Sequence, residues 1–211
     1  MKIERDEAME ALMIKSLRRE RREGDEIHFS SLNFCLRKEF IRRKYQIEPE
    51  PEIALMWTAG ALFHDAFKLP RKEELYRRDG IYCRPDAIYE VDGKEYPVEI
   101  KTTRAKMRER ADQRHYIRQL MAYCRVLEVN IGYLAVVYMM GDYRERVPKL
   151  VVNRMEFEPG EIEENWKWLV ERKDLLKWCL ENGVPPPRDT RAEEWECNHC
   201  DCKRICEVLE D

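Results

Sequence analysis

The chain has no apolar segment at its start that could serve as a secretion signal. Residues 1–6 read Met-Lys-Ile-Glu-Arg-Asp, and the residues that follow remain rich in charge. This absence favours a reducing, cytoplasmic setting without membrane association. In such a setting, disulfide bonds are not the first explanation for the eight cysteines.

The chain also lacks an excess of positive charge, because 39 Lys and Arg stand against 42 Asp and Glu, for a net charge of −3. A uniformly basic surface is excluded, so contacts with nucleic acid would have to come from local patches. One candidate patch consists of basic residues that follow one another closely: Arg104, Lys106, Arg108, Arg110, Arg114 and Arg118. These side chains either guide phosphates or form an ordinary solvated helix face.

No internal repeat is visible and no linker precedes the proline run at 184–188, so the length fits a single domain of residues 1–211. Within it we distinguish N-terminal helices (1–70), a core (71–160) and a C-terminal helix with a cysteine-rich tail (161–211). The residue patterns predict an α/β fold in which helices flank a small mixed sheet. The predicted helices cover 4–22, 31–45, 52–69, 110–129 and 161–182; the predicted strands cover 74–78, 81–90, 95–102, 131–140 and 147–157.

A predicted hairpin in the core carries two carboxylates and a lysine. Asp92-Gly93 is a strong turn signal between two runs of β-favouring residues. Glu99 and Lys101 alternate along the second strand and so share one face, while Ile100 points to the opposite, buried side. Asp86 lies on the partner strand directly after Pro85, where a bend or bulge would turn Asp86 out of the regular pleat.

Two carboxylates held close together repel unless protons or cations offset their charge. Mg²⁺ or Mn²⁺ does so readily, since both ions prefer oxygen ligands and leave positions for water and phosphate. An ammonium such as that of Lys101 could hold an attacking water or stabilise charge on a phosphate. The competing interpretation is a surface hairpin with an ordinary cross-strand ion pair.

Two further segments lie on either side of the hairpin. His64 belongs to an apolar stretch that predicts a mostly buried helix ending before Pro70. Gln119 and Tyr123 are four residues apart and share one face of a predicted helix. Tyr116 and Tyr123 could stack on unpaired bases or could be packing residues.

In this order, His64, Asp86, Glu99-x-Lys101 and Gln119-x-x-x-Tyr123 resemble the successive motifs of the RecB-like branch of the PD-(D/E)XK nuclease superfamily. The resemblance implies that His64, Asp86 and Glu99 bind the catalytic Mn²⁺ or Mg²⁺, together with the main-chain carbonyl of Ile100. It implies that Lys101 positions or activates water. Gln119 and Tyr123 would border the site and contact DNA or support the metal ligands.

Three cysteines of the tail, Cys197, Cys200 and Cys206, have a spacing that lets them converge on one metal centre. The arrangement of one cysteine before a nuclease core and three after it resembles that of the iron–sulfur nucleases of the AddB and CRISPR-associated kinds. The resemblance implies that Cys35 is the fourth ligand. That cluster is usually four-iron and sometimes two-iron, and it would tie the N- and C-terminal segments together. The alternative is a zinc site completed by His199 or Cys202. The remaining Cys83, Cys124 and Cys179 fit small buried side chains.

The resemblance extends over nearly the whole chain, which is similar to the CRISPR-associated RecB-like nucleases of the Cas four family. The resemblance implies a metal-dependent exonuclease that acts chiefly on single-stranded DNA with 5′ to 3′ polarity. It would trim spacer precursors before a CRISPR integrase inserts them. Two alternatives remain open: a standalone DNA-repair nuclease of the same superfamily, and a catalytically silent DNA-end binding module with a structural cluster.

Overall fold

The computed structural model describes residues 7–16, 26–47, 51–104, 114–141 and 147–209. In chain order the elements are α1 (Glu7–Ser16), β1 (Ile27–His28), α2 (Phe29–Leu32), α3 (Leu36–Tyr45), α4 (Pro51–Ala66), β2 (Arg71–Lys72), β3 (Tyr76–Arg78), β4 (Ile81–Cys83), β5 (Ala87–Val91), β6 (Lys94–Thr103), α5 (Arg114–Leu127), β7 (Ile131–Tyr138), β8 (Lys149–Glu156), α6 (Pro159–Asn182) and α7 (Lys203–Val208). Two 3₁₀ segments, Arg188–Thr190 and Glu194–His199, precede α7.

Two sheets organise the described part of the chain. The larger has the strand order β2-β5-β6-β7-β8, with β6 and β7 parallel and the other neighbours antiparallel. The smaller has the order β1-β4-β3. The predicted α/β fold with a mixed sheet and flanking helices is therefore confirmed.

The core of the larger sheet lies between β7 and two helices. Leu134 and Val136 of β7 pack with Leu120 and Cys124 of α5 and with Ile162 of α6. In the parallel register, Glu99 of β6 pairs with Leu134, and Lys101 pairs with Val136. Because paired residues in neighbouring strands point to the same face, α5 covers the face that carries Glu99 and Lys101.

Local signals placed several boundaries correctly. Asp92 and Gly93 form the predicted turn, with φ angles of 52° and 72° that suit a tight hairpin. Gly183 ends α6 in the left-handed conformation, with φ of 71°. Among the described residues, no helix combines the length and apolar character needed to cross a membrane.

Other boundaries were wrong. The predicted helix 31–45 is interrupted by residues 33–35, which separate α2 from α3 and place Cys35 at the N-cap of α3. The predicted helix 52–69 ends at Ala66, and strand 74–78 is reduced to β3. The predicted strand 81–90 is two strands, β4 and β5, which belong to different sheets. A single propensity pattern cannot show this change of partner, since pairing is a long-range property.

Candidate active site

Asp86 owes its position to the break between β4 and β5. β4 ends at Cys83, and Pro85, which has no N–H to donate, lies in the non-strand residues before β5. The irregularity predicted at Pro85 is thus present. The Asp86 side chain turns towards β6, where its Oδ2 accepts the backbone N–H of Ile100 at 2.7 Å.

Glu99 and Lys101 lie side by side beneath α5. Only 1% of Glu99 is exposed, and the Lys101 ammonium donates a hydrogen bond to its Oε1. Ile100, on the opposite face of the strand, is equally buried. A surface ion pair on an open hairpin is therefore excluded, because both faces of β6 are covered at this point.

The electrostatics of this pair are those of charge buried in a low dielectric. Burial raises the pKa of Glu99 to about 7, although Lys101 acts in the opposite direction. Burial would lower the pKa of Lys101, but the Glu99 and Asp86 carboxylates outweigh it and raise that pKa. Glu99 Oε2 is buried without a hydrogen-bond partner. An unsatisfied carboxylate oxygen is costly, so the pocket favours a cation at this atom.

His64 reaches the same pocket from the last turn of α4. Its Nδ1 lies 3.2 Å from Asp86 Oδ1, and the hydrogen bond to Asp86 raises the pKa of His64. Lys72 donates to the His64 carbonyl at 2.6 Å, which fixes the end of the helix against β2. The structure thus brings together His64, Asp86, Glu99 and Lys101.

The described residues contain no ready-made group of three or more His, Cys, Asp or Glu side chains that could hold a metal. The reason is visible in the contacts: Glu99 is bound to Lys101, and Asp86 is shared between His64 and Ile100. Glu99 Oε2 itself takes part in none of these contacts and is the open position of the donor set. The donor set itself, two carboxylates and an imidazole, suits Mg²⁺ or Mn²⁺.

Gln119 and Tyr123 share a helix face, as predicted, and Gln119 Nε2 donates to the Tyr123 hydroxyl at 2.6 Å. Only 4% of Tyr123 is exposed, and its ring packs 6.1 Å from that of Phe29. The suggestion that Tyr123 stacks on bases is therefore wrong. Burial raises the pKa of Tyr123 well above its usual value, so the hydroxyl stays protonated. Tyr116, in contrast, is only half-buried, and its ring centroid lies 5.3 Å from Lys101 Nζ.

The predicted basic patch is only partly visible. Lys106, Arg108 and Arg110 lie outside the described residues. Arg118 lies at 3.3 Å from Glu193 and its guanidinium is 4.5 Å from the Trp168 ring centroid. Arg118 therefore packs against the C-terminal segment, and its predicted role as a phosphate guide is not supported by these contacts.

Four predicted cluster ligands line one cavity of about 610 Å³: Cys35, Cys197, Cys200 and Cys206. Cys202 lines the same cavity but is fully buried, and it shares a hydrogen bond with Cys200 that lowers the pKa of Cys200 to about 6. The side chain of His199 lies outside the described part of the structure. Cys83, Cys124 and Cys179 are buried in the core, as predicted.

Three buried charged residues that hold the segments around the cysteines together gave no signal in the sequence. Buried Glu196 accepts the backbone N–H groups of Cys35 at 2.5 Å, Glu193 at 2.7 Å and Ala192 at 2.8 Å. Two buried arginines bind backbone carbonyls across the chain. Arg172 donates to the carbonyls of Leu32, Phe34 and Thr190, and Arg37 donates to those of Pro186 and Leu209. Such partners are set by the tertiary fold and are invisible to local pattern analysis.

Comparison with solved structures supports the fold. The crystal structure of SSO0001 has a TM-score of 0.64 at 17% sequence identity, over 97% of this chain and 97% of that one. A candidate exonuclease from Eubacterium rectale has a TM-score of 0.39 at 14% identity, over 100% of this chain and 78% of that one, which is too low a score to show a shared fold. No curated protein matches the sequence.

A sequence model of the PD-(D/E)XK nuclease superfamily matches residues 73–207. The matched segment begins at the residue after β2 and ends within α7, and so contains Asp86, Glu99 and Lys101 together with the four cysteines of the tail. His64 and Cys35 lie before it. The match spans well over half of the 211 residues, and the chain therefore belongs to the PD-(D/E)XK nuclease superfamily.

Proposed function

We propose that the protein is a metal-dependent DNA exonuclease that acts chiefly on single-stranded DNA, in the 5′ to 3′ direction. The observation that carries the proposal is the buried, unpartnered Oε2 of Glu99, which lies in one pocket with Asp86, His64 and Lys101. The membership of a nuclease superfamily supplies the reaction class.

His64, Asp86 and Glu99 would hold Mg²⁺ or Mn²⁺, with the carbonyl of Ile100 as a further ligand. When bound, such an ion polarises the phosphate and lowers the pKa of a coordinated water. The ion would also satisfy Glu99 Oε2 and offset the repulsion between the two carboxylates.

Lys101 lies beside Glu99, to whose Oε1 its ammonium donates a hydrogen bond. From that position the ammonium would hold the attacking water and stabilise the negative charge that develops on the phosphate. The side chain of Lys101 is 22% exposed but lies against buried Glu99, so both interactions are screened less than they would be in bulk water. Gln119 and Tyr123 would border the site, where their hydrogen bond fixes the amide of Gln119 next to Tyr123.

Cys35, Cys197, Cys200 and Cys206 would hold an iron–sulfur cluster, four-iron rather than two-iron. Their convergence on one cavity supports a shared ligand set. Zinc, with Cys202 as a ligand, is the competing occupant of the same cavity. Iron and sulfide analysis with a visible absorption spectrum separates the two.

We place this activity in the cytoplasm, in CRISPR adaptation, where the enzyme would process spacer precursors for the integrase. The resemblance to the Cas four family supports this role. Co-purification with integrase subunits tests it, and a standalone repair nuclease would show the same chemistry without that association.

The decisive assay uses protein with a full cluster, Mn²⁺ or Mg²⁺, and single-stranded DNA labelled at either end. We expect metal-dependent shortening from the 5′ end and much slower digestion of blunt duplex DNA. Intact single strands would refute the proposal, and DNA binding without cleavage would favour the DNA-end binding module.

A further inference from the structure

A row of four aromatic rings extends away from Lys101. Lys101 Nζ lies 5.3 Å from the Tyr116 ring centroid, and Tyr116 is followed by His115 at a centroid distance of 4.2 Å. His115 in turn lies 5.6 Å from Phe34 and 6.0 Å from Trp195. These spacings are typical of interacting rings, so the row is continuous from the candidate active site to the cysteine cavity. We call Tyr116, His115, Phe34 and Trp195 the aromatic row.

The outer part of the aromatic row is open to solvent. Trp195 is 46% exposed, and Phe34 and His115 are half-buried. Neither Phe34 nor Trp195 belongs to the two clusters of buried apolar side chains that form the core. Trp195 therefore presents an exposed aromatic ring at the end of the row that lies by the cysteine cavity.

The aromatic row is held in place by buried polar groups on both sides. Asn33 Nδ2 donates to the His115 carbonyl at 2.9 Å, and buried Arg172 binds the Phe34 carbonyl. Trp195 precedes Glu196, whose carboxylate is fixed by three backbone N–H groups. The rings are thus pre-positioned, which reduces the entropic cost of binding a ligand.

We propose that the aromatic row is a base-stacking subsite for unpaired nucleotides of the DNA strand that is cut at Lys101. This inference rests on the proposed nuclease function. Aromatic faces stack on any base, whereas bases in a duplex are paired and stacked on one another. Exposed Arg191, which lines the cysteine cavity together with Trp195, provides positive charge for a phosphate at the far end of the row. The subsite therefore selects single strands over duplexes without reading sequence.

Binding to a fluorescent single strand, measured with Ca²⁺ in place of Mn²⁺, tests the subsite. Trp195→Ala should weaken binding by about 5- to 150-fold, the range for loss of one stacked base. Trp195→Phe should restore most of it. Trp178→Ala, which removes another exposed tryptophan from α6, is the matched control and should have no effect.

A strand that contains abasic nucleotides separates stacking from a purely structural role. Wild-type protein should bind the abasic strand weakly, and Trp195→Ala should cause no further loss on it. Equal weakening of normal and abasic strands would overturn the proposal, as would an effect of Trp178→Ala as large as that of Trp195→Ala. Iron content and thermal midpoint of each variant show whether the tail remains in place, and Trp195→Leu keeps an apolar side chain there if alanine does not.

Hydrolysis of a small phosphodiester without bases, bis(p-nitrophenyl) phosphate, distinguishes failure of this proposal from failure of the nuclease function. Trp195→Ala should retain the wild-type rate on this compound. A wild-type protein that hydrolyses neither this compound nor DNA would overturn the nuclease function, and with it the cut at Lys101, whereas the binding assay would still show whether Trp195 stacks on bases.

Discussion

The carboxylate of Asp86 accepts the backbone N–H of Ile100 at 2.7 Å, so the strand that carries Glu99 and Lys101 also fixes the second carboxylate of the site. The bond joins a side chain beside a sheet boundary to a central strand. It leaves Asp86 Oδ1 facing His64 at 3.2 Å. One backbone contact therefore holds Asp86 against the central strand while Asp86 also contacts His64.

Lys101→Ala should abolish most cleavage while DNA affinity stays within about twofold of the wild type. Loss of a group that acts on the reacting atoms typically costs about 10²- to 10⁴-fold in rate. Removal of one partner from a buried ion pair can cost ~3–5 kcal/mol, but Glu99 has a pKa of about 7 and can take up a proton instead. We expect a soluble, folded variant. Single-turnover cleavage and fluorescence anisotropy measure the two effects.

Lys177→Ala is the control for this experiment, because it removes an exposed lysine from α6. It should match the wild type in both measurements. A Lys101 variant that cleaves at more than about a tenth of the wild-type rate would remove Lys101 from the mechanism.

Stabilisation by Mn²⁺ should increase with pH because of Glu99. The folded-state pKa of about 7 exceeds the ordinary value of 4.5. Between these values the folded protein holds a proton that the unfolded chain has released, so the free energy of unfolding falls as pH rises through this window. Mn²⁺ binds the ionised carboxylate and reverses that loss above about pH 7.

Calorimetry with and without Mn²⁺, at about pH 6 and about pH 8, measures this linkage. A concentration of about a hundred times Kd should add about 2.7 kcal/mol at the higher pH and clearly less at the lower. Glu99→Gln should lose most of the stabilisation by Mn²⁺. Without metal, the free energy of unfolding of Glu99→Gln should not fall as pH rises from 4.5 to about 7. An equal Mn²⁺ effect at both pH values would show that Glu99 is not a ligand.

Local signals in the sequence were sufficient for the hairpin and for the residue types of the site. The Asp92-Gly93 turn and the alternating run around Ile100 depend only on neighbouring residues, and the β5–β6 hairpin is present as predicted. The order of His64, Asp86, Glu99-x-Lys101 and Gln119-x-x-x-Tyr123 along the chain carried the resemblance to PD-(D/E)XK nucleases, and the match to residues 73–207 shows that superfamily.

Long-range packing supplied what the sequence could not. Cys83 pairs with Tyr76 while Ala87 pairs with Val98, so one predicted strand serves two sheets. The burial of Glu99 depends on α5, which lies far along the chain. The contacts of Arg172 could not be predicted for the same reason, since its three carbonyl partners come from two other segments of the chain.

Cys206→Ser should lose iron and the visible absorption of the cluster, whereas Cys202→Ser should keep both. Both thiols line the cavity. Cys202, however, is fully buried, and its thiol forms a hydrogen bond with Cys200. Cys124→Ser, at a buried position in a different part of the core, is the control for thiol loss. Zinc in the purified protein, lost on Cys202→Ser, would support the zinc site instead.

Gly132→Ala should destabilise the protein by ~1–3 kcal/mol, the usual cost of overpacking a core. A Cβ at this position would lie 2.7 Å from Cγ and 2.8 Å from Cδ1 of Leu120, which is fully buried. Relief requires a shift of α5, which also carries Gln119, so cleavage should fall as well. Gly160→Ala adds a Cβ with no atom within 4 Å and should leave the unfolding midpoint unchanged or slightly raised.

Removal of the cluster should leave the C-terminal tail docked, because hydrogen bonds also tie together the two ends that the cluster was expected to join. Arg37 donates to Pro186 at 2.8 Å and to Leu209 at 2.7 Å. Glu196 accepts the Cys35 N–H at 2.5 Å. None of these bonds involves a thiol, so they persist when iron is chelated.

Limited trypsin digestion of iron-free protein tests this point, because Arg188 and Arg191 offer cleavage sites in the tail. We expect protection close to that of the iron-loaded protein. Arg172→Met should expose the same sites even with iron present, since it leaves the buried carbonyls of Leu32 and Thr190 without a donor, at ~1–3 kcal/mol each. Rapid cleavage of the iron-free wild type at Arg188 would instead show that the cluster provides the main attachment of the tail.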